Sequence, residues 1–227
     1  MYLSQARWVI IAENFKISET IVVSWLIIGV MALISFLLTR NLKKVPTSKV
    51  QLFLEFIVTT IANLVTDSMG EKIVKKMPWM ISYIGSLFIF IAASNLAGLF
   101  GFRIPTLDLN TTLAWSLMTL IMIYLVGVKL HGPGYFKTLL EPYPALLPLN
   151  LIGEISKPIS MAFRPFGNIL GGSVIMALAY QFLGEMIPTG ALFIAVPMHL
   201  YFDLFAGVLQ AFIFIMLTMV FVGSAAE

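Results

Sequence analysis

The sequence predicts an all-α polytopic membrane protein with about five membrane-embedded helices plus one amphipathic surface helix. Of its 227 residues, 59% are hydrophobic and 11% are charged, and long uncharged stretches alternate with short basic flanks. A soluble domain of this size would lack the polar side chains needed to cover its surface. No repeat, linker or low-complexity segment divides the chain, so we expect residues 1–227 to form a single membrane domain.

Composition and motifs exclude several classes of function. The chain has no cysteine, so disulfides, thiolate nucleophiles and sulfur metal sites are excluded. Its net charge of +3 includes no basic run long enough to follow a phosphate backbone, which argues against nucleic acid as a partner. No phosphate-binding glycine-rich loop is present, and His199 with Asp203 lacks a third metal ligand. We therefore expect no cofactor, no metal and no catalytic site of the chain's own.

The first membrane span is predicted at residues 21–38, which carry no charge. Residues 1–20 lack the basic start, apolar core and cleavage site of a secretory signal, so no cleaved signal is expected. Basic residues follow the span and predict a cytoplasmic exit: Arg40, Lys43, Lys44 and Lys49.

Residues 49–70 differ from the spans because polar and apolar side chains alternate at helical spacing. The polar face holds Gln51, Glu55, Thr59, Asn63 and Thr66, and the opposite face holds Leu52, Phe53, Phe56, Ile57, Ile61 and Leu64. Such a pattern is typical of a helix that lies along a membrane surface.

Two further uncharged stretches, residues 77–102 and 109–128, predict upright spans. The last third has two longer apolar segments, residues 148–184 and 188–223, each about 50 Å long if helical. The hydrocarbon layer is only roughly 30 Å thick, so these segments must tilt strongly or break. Prolines 158, 165 and 197 make local bending plausible. We expect a strongly tilted helical hairpin with Arg164 and Gln210 facing the same partner.

The basic residues also predict the orientation of the chain. With the N-terminus outside and the C-terminus cytoplasmic, nine flanking Lys and Arg residues fall inside and three fall outside. The outside residues are Arg7, Lys16 and Arg103. An excess of basic residues on the cytoplasmic side favours this orientation.

Two polar stripes interrupt the last two apolar segments. At 100° per residue one stripe comprises Lys157, Ser160, Arg164, Asn168 and Gly171, and the other comprises His199, Asp203, Ala206 and Gln210. A charge at membrane depth costs about 2.5 to 3.5 kcal/mol, so Arg164 should face protein or water. It either pairs with a buried acid such as Glu154 or Asp203, or acts as a permanently protonated charge that drives a nearby carboxylic acid to ionise.

The second stripe also has two interpretations. His199, Asp203 and Gln210 could be hydrogen-bonding groups that join helices, or they could line an aqueous path in which Asp203 exchanges ions. Outside the stripes, Asn95 is expected to cap or bridge helices, and residues 110–112 to start a helix. Asp108, in the link between the two upright spans, either attracts cations to an entrance or is simply solvated.

Four motifs together resemble subunit a of bacterial F-type ATP synthases. They are SNLAGLFG at 94–101, PTLDLNTTLAWSL at 105–117, SKPISMAFRPFGNILGG at 156–172 and LQAFIFIMLTMVFVG at 209–223. The resemblance implies that Arg164 is the essential stator arginine, with Asn168 and Gln210 beside it on facing helices. It places Asp203, His199, Ser173, Glu154 and Asp108 along the ion pathway. The chain departs from the family at Pro165, usually leucine, and at Ser173, often an acid; Asp203 stands where a histidine or acid is common.

The resemblance implies an ion-translocating stator subunit with two offset half-channels for H⁺ or Na⁺. It implies a c-ring, the b subunits of the peripheral stalk and membrane lipid as partners, in a bacterial plasma (inner) membrane. Gly167, Gly171 and Gly172 would let ring helices approach closely. Two alternatives remain at this point: a solitary secondary transporter or ion channel, and a scaffold whose polar groups only fix helix packing.

Overall fold

The computed structural model describes residues 8–12, 15–46, 48–186 and 196–226. Within them the fold is almost wholly helical, which confirms the predicted class. One feature was not predicted: an antiparallel hairpin of β1, Trp8–Ala12, and β2, Phe15–Ser18, precedes the first helix. Trp8 pairs with Ser18, the residue from which the first helix starts, so the hairpin lies directly beside that helix end.

The first three helices are separated from one another by short segments. Helix α1 is Glu19–Thr39, α2 is Lys49–Met69 and the short α3 is Glu71–Lys76. The side chain of Ser48 caps α2 by accepting a 3.1 Å hydrogen bond from the backbone N–H of Gln51. Gly70, at φ 84°, turns the chain between α2 and α3, a conformation that glycine adopts without steric cost.

The two stretches predicted as upright spans are helices joined by a partly buried loop. Helix α4 is Trp79–Leu96 and α5 is Leu109–His131. The loop contains a buried 3₁₀ turn at Pro105–Leu107. The predicted helix start near residue 110 is confirmed, but the cap is Asp108, whose Oδ1 accepts a 3.1 Å hydrogen bond from the N–H of Asn110.

Helix α6 is a single helix of 40 residues, Leu147–Met186, that runs unbroken through Pro158 and Pro165. At 1.5 Å per residue it is about 60 Å long. Of the two outcomes expected for so long a segment, tilting or breaking, breaking is excluded, and a helix of this length must tilt to fit the hydrocarbon layer. The last helix, α7, is Val196–Ser224. It contains a π-helical stretch, Leu200–Phe205, before the regular α-helix Ala206–Ser224.

Six helical segments of the described chain are long and apolar enough to cross a membrane, and α2 is among them. The exposed N-terminal half of α2 carries Leu52, Phe53, Phe56 and Val58, whereas Val65 and Met69 near its C-terminal end are buried. One end of α2 is therefore anchored in the protein. Its predicted position along the membrane surface stays a prediction.

The main core lies where α2, α4, α5 and α7 meet. It contains Val65, Met69, Met80, Ile84, Ile123, Val126, Ile215, Met219 and Val222. Close approach of α2 and α7 depends on Gly223, because a Cβ there would lie 3.0 Å from the carbonyl oxygen of Ser68. Helix α6 leaves large apolar side chains exposed along its length, among them Leu149, Ile152, Ile159 and Phe163. These side chains are available to lipid or to a partner.

Candidate functional site

Arg164 lies about midway along α6 and its side chain is exposed. Among the described residues it forms no hydrogen bond or ion pair. Both acids considered as its partners are occupied elsewhere: Glu154 pairs with Lys157, and Asp203 pairs with His199. Within the part of the chain described, the interpretation of Arg164 as one half of a buried ion pair is therefore wrong. The guanidinium projects from the helix as a permanent positive charge.

One turn beyond Arg164, Asn168 joins α6 to α7. Its Nδ2 donates a 2.7 Å hydrogen bond to Oε1 of Gln210. This agrees with the expectation that the two residues lie together on facing helices. The predicted orientation of Gln210 is wrong in one respect, since Gln210 is only 2% exposed and points into the protein rather than outward beside Arg164. Asn168 itself is exposed, so it connects the exposed helix face that carries Arg164 to the buried amide of Gln210.

Asp203 belongs to a chain of three hydrogen-bonding side chains. Its Oδ2 contacts Nδ1 of His199, and Nε2 of His199 lies 2.6 Å from the hydroxyl of Tyr180 on α6. With Nδ1 protonated toward the carboxylate, Nε2 of the neutral ring accepts from the tyrosine. All three groups can both take up and release a proton along this chain. Tyr180 could not be predicted from the sequence, because no local spacing connects it to residues on the next helix.

The π-helical stretch determines where Asp203 lies. Its turns hold more residues than α-helical turns, and the N–H of Ala206 bonds to the carbonyl of Tyr201, five residues back. The prediction of one continuous polar stripe assumed a rotation of 100° per residue along the whole helix. The wider turn between Asp203 and Gln210 changes the angle between their side chains around the helix axis. The two residues therefore have different partners, His199 for one and Asn168 for the other.

The glycines of α6 differ in what surrounds them. A Cβ at Gly167 or Gly171 would meet no atom within 4 Å, whereas a Cβ at Gly172 would lie 3.1 Å from the ring of Phe202. Gly167 and Gly171 therefore leave bare backbone on an open surface near Arg164. Gly172 instead allows α7 to pack against α6, which corrects the expectation that it serves an outside partner.

The remaining predicted pathway residues have local partners. The hydroxyl of Ser173 donates to the carbonyl of Ile169 in its own helix at 2.8 Å. The carboxylate of Glu154 meets Lys157 and the hydroxyl of Tyr124. Asp108 caps α5, and its Oδ2 accepts a 3.2 Å hydrogen bond from buried Thr20 of α1. Asp108 is thus neither free nor simply solvated, and it joins α1 to the start of α5.

The predicted bridging role of Asn95 is confirmed by the structure. Its Nδ2 donates a 2.7 Å hydrogen bond to the carbonyl of Gly207 in α7, and its Oδ1 accepts from the hydroxyl of Thr106. Both Asn95 and Thr106 are buried. Thr106 was not predicted as a functional residue, although its place inside one of the four motifs is a signal for it.

Taken together, the site consists of one exposed fixed charge with polar groups on either side of it along α6. Glu154 and Lys157 lie up to about 15 Å before Arg164 along the helix axis, and Tyr180 lies about 24 Å after it. Such an arrangement can repel or stabilise a mobile charged partner at Arg164 and offer exchangeable groups toward both helix ends. No set of three or more metal-ligating side chains occurs among the residues described.

Comparison with known proteins places this arrangement in a family. The family described as ATP synthase A chain matches residues 21–223. The chain is 36% identical to the sodium ion specific ATP synthase subunit a of Propionigenium modestum over 226 aligned positions. The alignment covers 92% of this chain and 74% of that protein. Arg164, Asn168, Tyr180, Asp203 and Gln210 all lie within the matched range.

Proposed function

Because the chain belongs to the ATP synthase A chain family, we propose that Arg164 is the fixed positive charge facing the ion-carrying carboxylate of the rotating c-ring. The chain is a multi-pass membrane protein and the ion-translocating stator subunit of the membrane sector. Association with the c-ring and the b subunits follows from family membership. A solitary transporter is not favoured, because it would not account for this family match.

The observation that carries the proposal is the exposed guanidinium of Arg164, which has no hydrogen-bond or ion-pair partner among the described residues. An exposed arginine within a membrane helix needs a charged partner or water beside it. A ring carboxylate that passes Arg164 is stabilised in its ionised form and releases its proton or cation. Once neutralised by the next ion, the carboxyl group can enter the lipid, where a charged carboxylate would be too costly.

The exposed backbone around Arg164 supports the same partner. Gly167 and Gly171 leave space beside the charge, and apolar side chains flank it along the helix. Small residues at such a surface let another helix approach closely. We therefore assign the face of α6 that carries Arg164 and these glycines to contact with the ring.

The polar groups on either side of Arg164 support two half-channels that do not meet. With the cytoplasmic end of α6 at its N-terminus, the pair of Glu154 and Lys157 belongs to the inner half-channel. The chain of Tyr180, His199 and Asp203 belongs to the outer one. Tyr180 takes up a proton from water as it donates its own to Nε2 of His199, and His199 releases its Nδ1 proton to the Asp203 carboxylate, so one proton advances while the c-ring stays in place. Along α6, Asn168 lies between Arg164 and Tyr180, and its hydrogen bond brings Gln210 of α7 to the same level.

The translocated ion is either H⁺ or Na⁺. The relative from Propionigenium modestum is sodium ion specific. The distribution of basic residues supports an orientation with the N-terminus outside, in the bacterial plasma membrane that the resemblance to bacterial subunits implies. Across that membrane each translocated charge gains about 2.3 kcal/mol per 100 mV. Several ions per turn of the ring supply the free energy for ATP formation.

The test compares Arg164→Lys and Arg164→Ala in the complete ATP synthase reconstituted in vesicles. Both variants should lose coupled ATP synthesis by at least about 100-fold, since an ammonium is a single-point donor whose proton is lost readily in apolar surroundings. The alanine variant should also leak ions, because the barrier between the half-channels is gone.

An immunoblot must show each variant at normal abundance in the vesicles. Normal coupled synthesis in either variant would overturn the proposal. Loss of the alanine variant from the membrane, with a lysine variant present and active, would identify Arg164 as a structural residue instead.

A further inference from the structure

A buried hydrogen-bonded unit connects three segments that are far apart in the sequence. Asn95 in α4 donates to the carbonyl of Gly207 in α7 and accepts from Thr106 in the loop before α5. Asn95 is 1% exposed and Thr106 is fully buried. Both oxygen and nitrogen of the Asn95 amide are used, so the unit has a single favourable orientation. We name these two side chains and the Gly207 carbonyl the α4–α7 latch.

Gly207 makes the latch possible. A Cβ at this position would lie 3.2 Å from Cβ of Asn95, which is closer than most such contacts in proteins. Without a side chain, α7 comes near enough to α4 for the short asparagine amide to reach a backbone carbonyl. The distance between α4 and α7 at Gly207 is therefore set both by the missing side chain and by the hydrogen bond from Asn95.

The latch meets α7 where the helix changes geometry. The π-helical stretch ends at Phe205, and Gly207 lies in the first turn of the regular α-helix that follows. A π-helical stretch disrupts the usual i to i−4 hydrogen bonds, and an inserted side chain can satisfy and fix the backbone nearby. Asp203 lies within this stretch, four residues before Gly207.

We propose that Asn95 and Thr106 are positioning residues that hold the π-helical stretch so that Asp203 faces His199. This inference rests on the proposed function of Asp203 in the outer half-channel. A shift of the first α-helical turn would rotate the carboxylate away from Nδ1 of His199 and interrupt proton transfer from Tyr180. The latch acts through Asp203 and contacts neither the ion nor the ring.

The test uses Thr106→Val and Thr106→Ser in the complete enzyme, reconstituted in vesicles at normal abundance. Valine keeps the volume and removes the donor to Asn95, and coupled ATP synthesis should fall about threefold to tenfold, the factor expected for losing one buried hydrogen bond. Serine keeps the hydroxyl and should restore a rate within about twofold of the unsubstituted protein.

A matched control is Thr119→Val, which removes another buried interhelical hydroxyl. Thr119 bonds to Thr218 at 3.2 Å between α5 and α7, away from the π-helical stretch. Its substitution should leave the rate per assembled enzyme unchanged. Gly207→Ala is the second variant, because its added methyl group displaces Asn95 without touching Thr106, and it should slow synthesis like Thr106→Val.

The decisive measurement repeats Thr106→Val in an Asp203→Asn background. If the latch acts through Asp203, the valine substitution should cause no further loss there, since coupled residues are not additive. The same fold loss in both backgrounds, or a rate for Thr106→Val equal to that of the unsubstituted protein, would overturn the inference. An Asp203→Asn variant that synthesises ATP at the full rate would instead overturn the proposed role of Asp203.

Discussion

At the scale of single residues, the charged side chains of the site differ in whether they have a partner among the described residues. Lys157 and His199 each have an acidic partner three or four residues away on the same helix. Arg164 has none among the residues described. Because a pair of opposite charges has a much smaller field than a single charge, Arg164 dominates the electrostatic potential of this helix face. A mobile carboxylate will respond chiefly to that residue.

Tyr180→Phe is expected to slow coupled ion transport by about fivefold to tenfold, because it removes the donor to Nε2 of His199 and keeps the ring. The matched control is Tyr201→Phe, which alters an exposed tyrosine of the π-helical stretch. Initial rates of ion uptake by reconstituted vesicles measure both. Equal rates in the two variants would remove Tyr180 from the pathway.

Gln210→Leu should slow coupled synthesis by about threefold to tenfold while assembly persists. Leucine has a similar size, but it leaves the amide of Asn168 without its acceptor beside Arg164. The rate of ATP synthesis per assembled enzyme is the measurement. A full rate in this variant would mean that the bridge between α6 and α7 has no part in transport.

At the scale of helices, α6 and α7 use different means to place side chains. Helix α6 keeps its regular geometry through two prolines, so its stripe from Lys157 to Gly171 stays on one side as the 100° periodicity predicts. Helix α7 contains a π-helical stretch that changes the rotation of everything after it. For this reason the periodicity correctly kept the Arg164 side chain out of the protein interior but gave the wrong direction for Gln210.

The same substitution at two adjacent glycines of α6 should have different effects, lost coupling at Gly171 and lost abundance at Gly172. A Cβ at residue 171 would meet no atom of the chain within 4 Å, so Gly171→Leu should fold and insert normally, but its side chain should obstruct contact with the ring and coupled synthesis should fall more than tenfold. In Gly172→Leu the side chain collides with Phe202 in the same chain, so its abundance in the membrane should fall.

Immunoblots of membranes and synthesis rates per assembled enzyme distinguish these two effects. Normal coupling in the Gly171→Leu variant at normal abundance would contradict the assignment of this face to the ring.

Much of the architecture could be predicted because hydropathy and charge act locally along the chain. Uncharged stretches and their basic flanks located the spans, and the polar residues of the last two located the candidate site. The contacts between Asn95 and Thr106, and between Tyr180 and His199, could not be predicted in this way. They depend on helix packing, and no residue type signals the π-helical stretch that brings Asp203 to His199.

At the scale of the whole molecule, basic residues of α3 lie beside the basic end of α5. The α3 helix carries Lys72, Lys75 and Lys76, and Nζ of Lys76 donates a 3.2 Å hydrogen bond to the carbonyl of Lys129 near the end of α5. Lys75 also pairs with Glu71, and this contact holds the pKa of the Glu71 carboxyl below its usual value. The pair is fully exposed, so it contributes little to stability. This basic region matches the side expected to face the cytoplasm.

Orientation can be tested directly because the chain has no cysteine of its own. Cysteine introduced at Phe102, an exposed loop residue, should react with a membrane-impermeant maleimide added outside intact cells. Cysteine introduced at Lys75 should react only after the membrane is permeabilised. The reverse pattern would contradict the proposed orientation.

The length of α6 also has an electrical consequence. With its ends at the two boundaries of the hydrocarbon, a helix about 60 Å long in a layer roughly 30 Å thick advances only about 0.75 Å in depth per residue. The seven residues from Lys157 to Arg164 then span only about 5 Å of depth. Because the proposed aqueous half-channels carry the potential of each side into the membrane, the voltage drop is concentrated across the short barrier at Arg164. A charge that passes from one half-channel to the other gains most of its roughly 2.3 kcal/mol per 100 mV at that barrier, so the step past Arg164 is the one that depends on membrane potential.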